Sequence, residues 1–254
     1  MLKLVAIPMF SDNYLWLLVA DNGTTVAVDV GDYALLADYL QAHRLTLTTV
    51  LITHRHPDHT GGIAAIRANH PDVPVYGPPL IAGISHSLHG GEIINIDAIG
   101  RLLVLDVRGH TQYHLAFYHF AEQILFCGDS LFSAGCGRIF PDGAATALYH
   151  SLEKIKLLPD NARLCPAHEY TLANLAFAHA VEPDNQALAP YQAWCRQQRA
   201  DNLPTLPTRL STEKKLNPFL RCRLLKHRIQ ALTGQPVNDS AGLFAALRQY
   251  KDQW

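Results

Sequence analysis

Thr48-Thr49-Val50-Leu51-Ile52-Thr53 runs without a break into His54-Arg55-His56-Pro57-Asp58-His59-Thr60-Gly61-Gly62. The first six residues form an apolar, β-branched run of strand length, and the two glycines open a stretch of helical periodicity at 62–69. Between them a short loop carries three histidines and an aspartate. Strand, ligand-bearing loop, helix is the order in which α/β proteins display side chains at the carboxyl ends of their strands. With 14 His and 16 Asp in 254 residues, H-x-H-x-D-H arises by chance in about three of a thousand such sequences. Imidazole and carboxylate without thiolate suit zinc, iron or manganese. Four donors in six residues exceed what one catalytic ion with an open position takes from a single loop, so two ions are implied.

Three further strand-like runs end in the same kind of residue. Leu102–Val107 (LLVLDV) leads to Gly109-His110-Thr111, Ile124–Cys127 (ILFC) to Gly128-Asp129-Ser130, and Ala162–Pro166 (ARLCP) to Ala167-His168-Glu169-Tyr170. Each tripeptide alone is a weak signal. If the four strand ends lie side by side at one sheet edge, the donors divide evenly. One ion takes His54, His56 and His110, the other takes Asp58, His59 and His168, and Asp129 bridges both. Asp12, Asp29 and Asp32 also fall near strand ends and are read as caps or turn residues. His114 and His119 are read as packing or surface residues, and Cys127 as a buried thiol.

Around this set, 48% hydrophobic and 17% charged residues exclude a disordered chain. No apolar run approaches the ~20 residues of a membrane span. Pro8 and Asp12 interrupt the pattern of a signal peptide, which predicts a cytoplasmic protein. Five cysteines without a C-x-x-C pair argue against a disulfide framework. Helical periodicity at 33–43, 62–69 and 146–158, interleaved with the strands, predicts a mixed α/β body with stacked sheets. Beyond Thr171 only helical segments are predicted, at 172–181, 185–200, 223–233 and 240–252, with a proline-bearing connector at 203–218. The division is placed at 172, giving residues 1–172 and 173–254. Charge divides in a similar way: residues 1–184 carry 10 Lys and Arg against 18 Asp and Glu, whereas 185–254 carry 11 against 4.

The THxHxDH loop with the later GHT, GDS and AHEYT elements resembles the metallo-β-lactamase superfamily. That resemblance implies an αββα sandwich with metals at one edge of the sheets, followed here by a small C-terminal helical domain. Pro8–Tyr14 (PMFSDNY), Phe126–Phe132 (FCGDSLF), Ala134–Arg138 (AGCGR), His168–Thr171 (HEYT), Asn217–Arg221 (NPFLR) and Lys251–Trp254 (KDQW) narrow the match. They are similar to the hydroxyacylglutathione hydrolase (glyoxalase II) family. The implied reaction is hydrolysis of S-(2-hydroxyacyl)glutathione thioesters, S-D-lactoylglutathione to glutathione and D-lactate, the second step of methylglyoxal detoxification. Two divalent ions, zinc first with iron or manganese as alternatives, would lower the pKa of a shared water toward ~7 and furnish a bridging hydroxide. Asp58 and Asp129 carry the catalytic charge among the ligands. The implied glutathione-binding residues are Arg248 and Lys251 at a carboxylate, Arg138 after GCG, and Tyr170 as a hydroxyl donor. Without the resemblance, Arg248 and Lys251 would read as a solvated helix face at i and i+3. The partner is a small molecule rather than nucleic acid or membrane, and the chain is expected to be monomeric.

Three positions depart from the family pattern. Phe140 stands where some members have tyrosine, Ile139–Ala145 is one residue longer than usual, and Tyr113 replaces a common glycine. All seven proposed ligands are intact. A nuclease of the same fold would also welcome a basic face, yet no basic run here exceeds two residues. A mononuclear iron persulfide dioxygenase needs only one site, and a structural zinc takes four ligands in a closed shell.

Overall fold

The computed structural model describes residues 2–254. The described chain forms two compact units, the first comprising residues 2–106 and 113–128, the second residues 107–112 and 129–254.

The first unit opens with a sheet in the order β1 (Lys3–Met9), β2 (Asn13–Val19), β3 (Thr24–Val28), β4 (Thr46–Leu51), β5 (Val75–Gly77), β6 (His86–Ser87). Pairing is antiparallel from β1 to β3 and parallel from β3 to β6. Parallel neighbours require crossovers. α1 (Tyr33–His43) supplies one between β3 and β4, and α2 (Pro57–Thr60) with α3 (Ile63–Asn69) supplies the next. Asp32 caps α1, its carboxylate accepting from the amides of Ala34 (2.9 Å) and Leu35 (3.3 Å). α1 closes on Arg44 in the left-handed region. The core here joins Leu15, Leu17, Ala27, Val50 and Ile52 of the sheet region to Leu36 and Leu40 of α1 and Ile63 and Ile66 of α3. β7 (Ile93–Ile96), β8 (Gly100–Asp106), β9 (Leu115–His119) and β10 (Ile124–Gly128) follow as an antiparallel meander. Every residue of β2, β9 and β10 is buried, so these strands are covered on both faces.

In the second unit, β11 (Leu131–Phe132) and β12 (Gly135–Cys136) make a short hairpin directly after Asp129. α4 (Ala145–Lys156), β13 (Arg163–Pro166), α5 (Thr171–Val181), α6 (Leu188–Ala200), β14 (Thr208–Arg209), α7 (Leu210–Leu216), α8 (Lys226–Thr233) and α9 (Ser240–Asp252) complete it.

The connector at 203–218 differs from expectation, for it holds β14 and α7. β14 is two residues paired with Arg163 and Leu164, too short to show alternation. α7 buries Leu210, Glu213 and Leu216, and a glutamate at the centre of the inward face hides the apolar period. Ile52 and Thr53 lie beyond the end of β4 and belong to the loop. Among the described residues, no helix is long and apolar enough to cross a membrane. All five cysteines are free and buried.

Candidate metal centre

The first unit gathers four of the seven proposed donors. His54 and His59 are fully buried, and Asp58 and His59 sit on α2, whose first residue is Pro57. His54 Nε2 lies 2.8 Å from His56 Nδ1, and His59 Nε2 lies 3.4 Å from Asp58 Oδ2. The other ring nitrogens of His54 and His59 converge on one buried carboxylate. His54 Nδ1 is 3.1 Å from Thr53 Oγ1, Thr53 Oγ1 donates to Asp29 Oδ2 at 2.8 Å, and His59 Nδ1 meets the same oxygen at 2.9 Å. The Thr53 amide donates to Asp29 Oδ1 at 2.8 Å. With both Nδ1 atoms carrying protons toward oxygen, each Nε2 presents its lone pair outward, as a metal ligand must. Asp29 is therefore an orienting group, and its reading as a mere turn residue is corrected. Parallel pairing of Val28 with Leu51 carries Asp29 alongside Thr53, a register that no local pattern reveals. Asn13 Nδ2 donates to Asp58 Oδ2 at 2.8 Å, a second partner the sequence did not signal. His114 stacks on His54 at 4.6 Å with an interplanar angle of 15°, and His119 Nε2 lies 2.8 Å from the Ile99 carbonyl oxygen. Both are buried packing residues, as expected.

The second unit gathers the other three. His110 Nδ1 donates to the Arg138 carbonyl at 2.7 Å, which again makes Nε2 the lone-pair nitrogen of the ring. That Nε2 lies 3.5 Å from Asp129 Oδ2, while His168 Nε2 lies 3.4 Å from Asp129 Oδ1. One carboxylate thus turns a different oxygen to each of two imidazoles. Space is tight around it: a Cβ at Gly137 would stand 2.0 Å from the Asp129 carbonyl oxygen and 2.9 Å from His110 Nδ1. Phe140 packs edge-on against His110, and Tyr170 stacks on His168 with ring centroids 4.7 Å apart.

The ligand atoms of His54 and His56 lie within 4.8 Å of each other, as do those of Asp58 and His59, and those of His110 and Asp129. His54, His59, His110, Asp129 and His168 are all buried. Imidazole and carboxylate donors, with Nδ1 of His54, His59 and His110 turned to oxygen, fit a hard-to-borderline divalent cation, and the cluster supports a dinuclear centre.

Of the proposed substrate residues, Arg138 and Tyr170 are exposed. The solvated face read at 248 and 251 without the resemblance is not found. Arg248 is 3% exposed, its Nη1 donating to the Cys136 carbonyl at 3.1 Å and its Nη2 to Asp252 Oδ1 at 2.8 Å. Lys251 donates to Asn174 Oδ1 and lies over the rings of Phe177 and Phe219. Burial pushes the Lys251 ammonium down to about 8.

Residues 12–168 match the Metallo-beta-lactamase superfamily. Fold and donor set together define a metallohydrolase of that class. Residues 169–254 match the family described as Hydroxyacylglutathione hydrolase C-terminus. Relatives named hydroxyacylglutathione hydrolase are 44% identical in Shewanella halifaxensis over 261 aligned residues and 41% identical in Yersinia enterocolitica over 255, each covering 100% of both chains. The chain belongs to the hydroxyacylglutathione hydrolase family. Among solved structures, ETHE1 from Myxococcus xanthus shares the fold at a TM-score of 0.67 and 21% identity, over 97% of this chain and 96% of that one. TTHA1623 in a di-iron-bound form matches 65% of this chain and 91% of its own, at a TM-score of 0.55 and 27% identity.

Proposed function

We propose that this chain hydrolyses S-(2-hydroxyacyl)glutathione thioesters, S-D-lactoylglutathione among them, to glutathione and the hydroxy acid, as the second step of methylglyoxal detoxification. The observation that carries the reading is the Asp129 carboxylate, with one oxygen toward His110 and the other toward His168, in a chain related to hydroxyacylglutathione hydrolases over its full length.

His54, His56 and His110 would hold one ion, Asp58, His59 and His168 the other, with Asp129 shared. Two divalent ions bound there supply acidification of water and polarisation of a carbonyl. Zinc is the first choice, and iron or manganese accept the same donors. Asp58 and Asp129 offset half of the +4 charge of two such ions, which leaves a site that attracts anions. Asp29, through Thr53 and directly, keeps His54 and His59 in the ligating tautomer. Asn13 and the Arg138 carbonyl do the equivalent for Asp58 and His110. A thiolate leaves readily, so no strong acid is needed beside it.

Residues 173–254, together with Arg138 and Tyr170, supply recognition in this reading. Arg138 and Lys251 face the glutathione carboxylates and Tyr170 donates its hydroxyl. Arg248, with both terminal nitrogens engaged, contributes its charge from behind Lys251. The chain works as a monomer, since every proposed ligand comes from one copy, and in the cytoplasm, where five free buried thiols are at home. Metal analysis and a thioester assay on one sample test the whole: close to two ions per chain and thiol release are expected, and turnover by metal-free protein would overturn it.

A further inference from the structure

The hairpin β11–β12 stands between two of the proposed ligands. Asp129 lies two residues before it, and Arg138, whose carbonyl fixes His110, lies two residues after it. At its foot the Gly137 amide reaches the Ser130 carbonyl at 3.4 Å. Two-residue strands cannot hold their own shape, and the turn residue Ala134 sits at φ 56, a conformation costly for a side-chain-bearing residue.

The support comes from side chains of the last third of the chain. Glu213 accepts from the Ala134 amide at 2.7 Å and from Ser133 Oγ at 2.9 Å. Asn217 Nδ2 donates to the carbonyls of Phe132 (3.1 Å) and Gly135 (3.0 Å). Asn174 Nδ2 donates to the Ser133 carbonyl at 2.9 Å, and Arg248 to that of Cys136. Backbone groups of residues 132 to 136 are thus met by a carboxylate, two carboxamides and a guanidinium. Glu213 and Asn217 are fully buried, and Asn174 and Arg248 nearly so.

We propose that Glu213, Asn217, Asn174 and Arg248 form a clamp that positions Asp129 and His110, so that the helical segment governs metal affinity as well as substrate binding. These are positioning residues: none touches an ion, and each acts through the hairpin. The inference rests on the assignment of Asp129 and His110 as metal ligands.

Asn217→Asp tests it, since the volume is kept while a donor shared by two carbonyls becomes an acceptor facing them. Arg221→Gln is the control, breaking the ion pair of Arg221 with Glu182 (2.5 Å) in the same unit without touching the hairpin. Zinc binding to each full-length protein is titrated in chelator-buffered Zn²⁺, beside thermal melting of the metal-free forms. Expected is a loss of roughly 10-fold or more in Zn²⁺ affinity for Asn217→Asp, a fall in kcat with KM little changed, and wild-type affinity for Arg221→Gln. Wild-type affinity in Asn217→Asp, or losses in both variants that track their melting temperatures, would overturn the clamp while leaving the ligand assignment standing. A wild type that binds no Zn²⁺ would overturn both. Should Asn217→Asp not fold, Asn174→Ala is read by Zn²⁺ affinity against melting temperature alone, since Asn174 also accepts from Lys251.

Discussion

Asp129 and Asp58 are both proposed ligands, yet they differ in what they touch: Asp129 turns one oxygen to each of two imidazoles, whereas Asp58 meets His59 and Asn13. Under the bridging assignment, removing Asp129 would also take negative charge from between the two ions. Asp129→Ala should therefore retain less metal than Asp58→Ala at equal free metal, and an Asp129 variant that keeps two ions while the Asp58 variant loses one refutes the bridging assignment. Asp29 carries a separate expectation. Asp29→Asn keeps its size but aims an N–H₂ group at Thr53 Oγ1 and His59 Nδ1, both donors. Metal affinity should fall about 10- to 100-fold in a competition titration, and an unchanged constant would take Asp29 out of the centre. Lys251 titrates near 8 because burial opposes its charge, with Arg248 and Arg138 adding to the depression and Cys136 and Asp252 opposing it. A pKa lowered in the folded protein means the cation is present below that value and lost above it. KM for a glutathione thioester should rise as pH passes through about 8, while KM for a truncated thioester stays level. Lys251→Met should abolish the difference.

α9 carries two cations with different tasks, and single variants separate them. Lys251→Ala removes a proposed carboxylate contact, and a charge-assisted hydrogen bond is worth ~1.5–3 kcal/mol. The loss should fall on KM for the glutathione thioester and spare a small thioester without the peptide. Arg248→Ala also releases Cys136, so turnover should drop on both substrates; an effect confined to the glutathione thioester would leave Arg248 as a binding residue alone. What the sequence disclosed follows the same line between local and distant. α1 and α9 were readable from their periodicity, and the ligand set from short motifs at strand ends. α7 was not, because Glu213 occupies its inward face and is stabilised by Ala134 and Ser133 from 79 and 80 positions away as well as by Thr208 and Asn217 beside the helix. Asp29 reaches Thr53 through strand register across 24 positions, and Arg248 reaches Cys136 across 112. Spacing in a sequence holds no record of such contacts.

The chain divides its charge, with 10 cationic against 18 acidic residues up to 184 and 11 against 4 beyond, and the excess of cations falls in the segment proposed to meet an anionic substrate. kcat/KM for a glutathione thioester should fall as ionic strength rises and the Debye length contracts from about 10 Å at 0.1 M to 3 Å at 1 M, with an uncharged thioester as control. The larger effect should come from removing the metals. The buried imidazoles, among them His59 held through Nδ1 by Asp29 and His110 by the Arg138 carbonyl, are positioned only in the folded chain. An ion that binds the folded form alone stabilises it by RT ln(1 + [M]/Kd), ~4 kcal/mol at a thousand times Kd. At roughly 2–4 °C per kcal/mol for a chain of about this size, each ion should raise Tm by about 8–16 °C. Melting curves with and without chelator, beside metal analysis, measure this directly. A stripped protein that melts where the loaded one does would show that the ligand loops keep their shape through Asp29, the Arg138 carbonyl and the hairpin contacts alone, with the ions contributing chemistry and no stability.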